Sequence, residues 1–269
     1  MRSRILLAVF SLAVPAAIVL GTWALSADAQ ASDHPKSTNG KRVPVIVELF
    51  TSEGCSSCPP ADALLRKLDA EQPVEGAEVI ILGEHVDYWN YIGWTDRFSS
   101  SQFTARQDSY TQRFNLDSAY TPQMIVDGIH ELNGTDERGA KRTISSQSEK
   151  AKADLQLSLT RKDGRDDAYV LRVLANGLDA KNQSQLFLAV TENGLESQVN
   201  KGENDGRFLR HSGVVRRLSP MSGFDPAKPN EATIRIEKDW KPEKLRVIAF
   251  VQQVGDRRIV AAASVPLPK

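Results

Sequence analysis

The 269-residue chain has only two cysteines, Cys55 and Cys58, and three methionines. So low a cysteine count excludes a scaffold stapled by several disulfides, the usual device of small exported domains. It also leaves a zinc site short of ligands, because two thiolates need two partners and no His-x-His or second cysteine pair follows. Excess charge is missing too: 34 Lys and Arg balance 34 Asp and Glu. No block of Lys and Arg interleaved with aromatics occurs, so nucleic acid is not an expected partner. After Leu25 no apolar run is long enough to cross about 30 Å of hydrocarbon, which excludes a helical membrane span there. No repeat of fixed period is apparent.

What the chain does have is a cysteine pair in an informative setting. An apolar run (Val45, Ile46, Val47, Leu49, Phe50) ends in a turn holding Gly54. Cys55-Ser56-Ser57-Cys58 and Pro59-Pro60 follow, then an Ala/Leu-rich segment that reads as a helix over residues 59–70. A strand that delivers Cys-x-x-Cys to a helix N-terminus is the active-site layout of thioredoxin-like redox proteins. Unpaired N–H groups and partial positive charge at that terminus stabilise a thiolate. Thiol pKa values there fall from about 8.5 into the range of roughly 3.5–7.5. Cys55 is expected to be the exposed nucleophile, and Cys58, one turn later and more buried, to resolve the mixed disulfide. Pro59 and Pro60 suit a first helical turn, where backbone N–H groups have no intrahelical partner. A structural disulfide on an exported domain is the alternative.

Longer stretches carry a resemblance. VELFTSEGCSSCPPADALL (residues 47–65), HVDYWNYIGW (85–94), YTPQMIVDG (120–128), KGENDGR (201–207) and VIAFVQ (247–252) are similar to the DUF1223 family of exported bacterial proteins of unknown function. The resemblance covers nearly all of the mature chain. It implies a thioredoxin-like fold with an added C-terminal portion, and it supplies no substrate.

Residues 1–29 read as a Sec-type signal peptide: Arg2 and Arg4, an apolar stretch over 5–25, and Ala27-Asp28-Ala29 as cleavage site. An uncleaved anchor is the alternative, and the expected location is periplasmic or secreted. No cysteine follows the apolar run and no Arg-Arg pair precedes it, against lipid attachment and a twin-arginine route. Residues 30–41 are a flexible lead-in. A thioredoxin-like α/β domain is expected over 42–153, with a mixed sheet and flanking helices, and an all-β sandwich-like domain over 154–269.

Residues 78–84 form a buried strand running into His85, Asp87, Tyr88 and Trp89. Parallel strands open their carboxyl ends on one crevice, so this segment joins the cysteines at one edge. His85 and Asp87 are candidates for proton transfer, and Tyr88 and Trp89 for a substrate surface; a structural histidine and loop-packing aromatics are the plainer readings. Glu48, inside the apolar run, is a further proton-transfer candidate, placed by alternation behind the cysteines, where burial would raise its pKa. A helix is expected from about Ser99, with Phe103, Tyr110 and Phe114 on one face. By resemblance, Thr121-Pro122 is a cis peptide beside Cys55 whose backbone aligns an extended substrate. Asp127-Gly128 signals a two-residue hairpin, and Thr135 or Asp136 caps a helix running to about Ala153.

The second half is built of short alternating runs at residues 155–159, 169–173, 186–190, 233–236, 245–251 and 259–265, which suggests an antiparallel sandwich. Residues 200–218, with Arg207, Arg210, His211, Arg216 and Arg217, read as a solvated connection, with a loop folded over the redox site as the alternative. The function expected is exchange of disulfides with protein thiols or a redox partner protein, with no organic cofactor and no metal. A copper module is a second reading, with His85 or His130 joining the thiolates; the lack of a methionine-rich segment counts against it. An interaction protein with a structural disulfide is a third.

Overall fold

A computed structural model describes residues 42–178 and 183–268. The expected signal peptide and lead-in lie outside them. The first strand, β1 (Val43–Thr51), is the Val/Ile/Phe-rich run. The prolines open α1 (Pro59–Glu71), which closes at Gln72 in a left-handed conformation whose N–H bonds Leu68 O. β2 (Ala77–His85) runs parallel to β1, in register from Val43 opposite Ala77 to Thr51 opposite His85. α2 (Ser101–Arg113) is capped by the Ser100 side chain, which accepts from Gln102 N. β3 (Gln123–Val126) lies antiparallel to β1 and pairs with β4 (His130–Asn133). Their connection takes three residues instead of two, since Val126 faces His130. Gly128 is required there: with φ at +73°, a Cβ would stand 2.0 Å from the Arg257 carbonyl. α3 (Glu137–Ser148) starts where Asp136 accepts from Gly139 N, and ends short of Ala153.

The second half contributes β5 (Asp154–Arg161), β6 (Ala168–Asn176), β7 (Ser184–Glu192), β8 (Leu195–Gln198), β9 (Phe208–His211), β10 (Val214–Pro220), β11 (Asn230–Arg235), β12 (Leu245–Gln253) and β13 (Ile259–Pro266). These strands do not form a separate domain. One eight-stranded mixed sheet runs β13-β12-β7-β10-β2-β1-β3-β4, and β11-β6-β5 form a smaller sheet beside it. β10 meets β2 in parallel at Val214 and Gly83, and the Gly83 N–H donates to Gly213 O at 2.7 Å. The expected boundary after residue 153 therefore becomes continuous sheet within one compact unit. Alternation shows that a strand is half-buried but not which edge it joins.

The core explains the join. Val45, Val47 and Leu49 of β1 pack on Leu64, Leu65 and Leu68 of α1 and Ile144 of α3. On the opposite face, Ile46, Ile80 and Leu82 share a cluster with Phe103 of α2 and with Ile248 and Phe250 of β12. Each such side chain stabilises the fold by about 1.5–3 kcal/mol when buried, so this shared core binds the halves more strongly than the single β2–β10 bridge. The sandwich-like part survives as a layer, with Leu171 and Val173 of the small sheet packed on Leu186, Val247 and Val251. Among the described residues no helix is long and apolar enough to cross a membrane.

Candidate functional site

The site is the turn between β1 and α1. Cys55 N donates to Ser52 O, Cys58 N to Cys55 O, and Cys58 O accepts from Ala61 N and Asp62 N to start the helix. Cys55 and Cys58 form a disulfide, their Cα atoms 5.4 Å apart. Ser56 and Ser57 are exposed, but both cysteines are 0 % exposed. The expectation of an exposed Cys55 beside a more buried Cys58 is thus corrected, and the cause lies in the segments that close over the turn.

One is the peptide Thr121-Pro122, which is cis. Ser57 Oγ lies 3.5 Å from Thr121 O. Trp89 Nε1 donates to Thr121 Oγ1 at 2.8 Å, and Tyr88 donates to Gln107, whose amide reaches Tyr120 O. Burial pushes the Tyr88 phenol up to about 12. Gly54 lets the Trp89 loop in, since a Cβ there would come within 3.1 Å of Trp89 Cβ. Glycine serves again at Gly134, where a Cβ would lie 2.8 Å from Pro122 and 3.1 Å from Ala61.

The other is residues 201–207, a strap from the second half of the chain. Asn204 is fully buried, and its amide donates to Glu53 O at 2.8 Å and Cys55 O at 2.9 Å. Ser56 N donates to Glu203 Oε2 at 3.0 Å. Reading this stretch as a solvated connection is corrected: it clasps the cysteine turn. The first part of residues 200–218 is the strap, and the rest supplies β9 and most of β10.

Beneath the turn lies a buried ionic cluster. His85, at the end of β2 opposite Thr51, points to the α1 side, and its Nδ1 is 2.7 Å from Asp96 Oδ2. Burial alone would lower His85, but the Asp96 carboxylate outweighs it and raises the imidazole to about 8. Burial would likewise raise Asp96, yet His85 and the N–H groups of Glu53 and Phe98 hold it down. Thr51 Oγ1 donates to Asp62 Oδ1 at 3.0 Å. His211, from β9, stacks edge-on to His85 at 4.8 Å between ring centres. It sits 3.4 Å from Glu53 Oε1 and 3.7 Å from Asp62 Oδ2. Those approaches are electrostatic only, because neither ring nitrogen nor Glu53 Oε1 has a hydrogen-bond partner.

Other candidates stand elsewhere. Glu48 shares the face of Ile46 and Phe50, opposite α1, so it does not lie behind the cysteines. It pairs there with Arg106 Nε at 2.5 Å and accepts from Tyr110 OH at 2.6 Å. Asp87 accepts from Thr104 Oγ1 at 2.6 Å and anchors α2. His130 stands at the far end of β4, on Gln147. Among the described residues no group of three or more His, Cys, Asp or Glu is arranged to hold a metal ion. Asp62, Glu53, Asp96 and Asn204 were not expected in the site. Asp62 had a signal, an acid at the fourth place after Cys58 on a stripe continued by Leu65 and Leu68.

Fold and site define an α/β protein that carries a covered Cys-x-x-Cys disulfide where a strand of a large mixed sheet meets a helix. The chain matches the family described as a protein of unknown function, DUF1223, over residues 46–252, and belongs to it. A crystal structure of an Agrobacterium tumefaciens protein is similar at 26% identity and TM-score 0.66, covering 86% of this chain and 97% of that one. HBP35 of Porphyromonas gingivalis is similar in fold at 15% identity and TM-score 0.60, over 85% of this chain and 76% of that one. No curated protein matches the chain.

Proposed function

We propose that the protein is an exported thiol–disulfide oxidoreductase that acts on protein thiols in the periplasm or outside the cell. Its support is the Cys55–Cys58 disulfide at the N-terminus of α1, in a turn whose Ser57 Oγ lies 3.5 Å from the carbonyl of Thr121 in the cis Thr121-Pro122 peptide. A thioredoxin-like core is the matching reading of β1-α1-β2 followed by β3, β4 and α3, in sheet order β2-β1-β3-β4. A substrate thiolate attacks Cys55, Cys58 leaves as a thiolate at the positive end of the α1 dipole, and the Thr121 backbone aligns the substrate. Export rests on the sequence of residues 1–29. No organic cofactor enters this chemistry.

The burial of both cysteines favours a second reading, a structural disulfide in an interaction protein. Equilibrating the pair against dithiothreitol or glutathione separates them. A reduction potential between about −120 and −270 mV supports exchange, and one below about −300 mV supports the structural disulfide.

A further inference from the structure

Building on the oxidoreductase reading, we infer that Asp62 exchanges a proton with Cys58, and that His211, delivered from the second half of the chain, is its positioning partner. Asp62 lies one turn after Cys58 on α1, its N–H 3.1 Å from Cys58 O. Residues so spaced share a helix face with Cβ atoms about 5–6 Å apart, and side chains lean toward the helix N-terminus, the end that Cys58 occupies. Asp62 is only 6 % exposed.

Polar groups from β1, β2 and β9 gather around Asp62. Thr51 of β1 donates to it, and Glu53, in the turn that follows, faces His211 Nε2. His85 of β2 comes with Asp96 behind it. From β9, His211 directs Nδ1 at Oδ2. Burial raises the Asp62 carboxyl, and His211 and then His85 oppose that rise. His211 is 2 % exposed with both ring nitrogens unpartnered. Buried polar groups are rarely left so, and here both nitrogens face carboxylates, Nε2 toward Glu53 and Nδ1 toward Asp62. A cavity of about 170 Å³ between α1 and β9 completes the route, lined by Pro59, Asp62, Arg66, Phe208, Leu209 and Arg210. None of its lining comes from the Thr121-Pro122 segment.

The step balances. An incoming thiolate bonds to Cys55 Sγ, the Cys55–Cys58 bond breaks, and its electron pair goes to Cys58 Sγ. Asp62 gives that sulfur its proton, and its carboxylate, beside His211, regains one through the cavity. In reverse, Asp62 first releases its proton through the cavity, and its carboxylate then takes the Cys58 proton as Cys58 attacks Cys55 and expels the partner thiolate.

The test is stopped-flow reduction of the disulfide by dithiothreitol between about pH 4 and 9, with rates divided by dithiothreitol thiolate concentration; general-acid assistance of this kind contributes about 10²-fold. The wild-type rate should fall by about that factor as pH rises through the Asp62 titration. Asp62→Asn should abolish the inflection and slow the acid-side rate about 10²-fold. His211→Gln should move the inflection to higher pH, because it removes the imidazole that lowers Asp62. A wild-type profile without inflection, or an Asp62→Asn profile that keeps it, overturns the inference. If Asp62→Asn does not fold, an unmoved inflection in His211→Gln overturns it. A disulfide that dithiothreitol cannot reduce at any pH instead defeats the oxidoreductase reading itself.

Discussion

Asn204→Ala is expected to open the strap and expose the disulfide. The Asn204 amide donates to Glu53 O and Cys55 O at 2.8 and 2.9 Å, and the residue is 0 % exposed. Alanine leaves Glu53 O covered without a side-chain donor and Cys55 O with only the Cys58 N–H, whereas in the displaced strap water reaches them. Each ordinary hydrogen bond is worth about 0.5–1.5 kcal/mol net, so two shift the balance toward opening by roughly 1–3 kcal/mol. Loss of the unpartnered Asn204 Oδ1 offsets part of this, leaving about 1–2 kcal/mol, a 5- to 30-fold change in population. A thiol reaches Cys55 only through the open state, so reduction by excess dithiothreitol at fixed pH should accelerate by the same factor. Such local opening lies well below global unfolding, and the circular dichroism spectrum should be unchanged. An equal or slower reduction rate in a folded Asn204→Ala protein would refute the strap as the barrier.

Three further outcomes follow from the buried and clasping charges. Donation from the Ser56 side chain and N–H holds the exposed Glu203 carboxyl below its ordinary 4.5, so the clasp is intact above that pH and is lost as pH falls through the lowered value; hydrogen-exchange protection of the Ser56 amide should drop there in the wild type, and already be low at neutral pH in Glu203→Ala. His85, raised from 6.5 to about 8, contributes stability that is full below pH 6.5 and lost as pH rises through about 8. At 1.36 kcal/mol per unit this is about 2 kcal/mol, visible in urea unfolding at either end of that window and absent in Asp96→Asn. Glu84 is pushed well above 4.5, first by burial and then by Glu48, so the fold is penalised as pH climbs from 4.5 toward that raised value. Glu84→Gln, which can donate to Glu48 without a titrating proton, should match the wild-type melting temperature near pH 5 and exceed it by a few degrees near pH 9.

Legibility of the site followed sequence distance. The cysteine turn, its prolines and the start of α1 are adjacent in the chain, and Pro122 stands out because a motif surrounds it. Asn204 lies 149 residues from the Cys55 carbonyl it bonds, and no local pattern records that contact. β9 and β10 were missed because Gly213 and Arg216-Arg217 interrupt their apolar residues, although Leu209, Val214, Val215 and Leu218 are buried. Glu48 was placed on the wrong face because alternation separates inward from outward only when one face is solvated. Here both faces of β1 are covered, by α1 and α3 on one side and α2 on the other, and Arg106 and Tyr110 supply the partners that keep a carboxylate there.

The strap also sets an order of events during synthesis. Cys55 and Cys58 emerge from the ribosome long before the residues that cover them, and chains fold from the N-terminus as they emerge. During that interval nothing from residues 201–207 shields the pair, and any oxidant in the compartment meets two accessible thiols. Once Asn204 docks on the Cys55 carbonyl, the same pair becomes a guarded bond. A nascent chain halted before residue 200 therefore carries the cysteine motif without the strap, covered only by what the Trp89 loop and the Thr121-Pro122 segment supply.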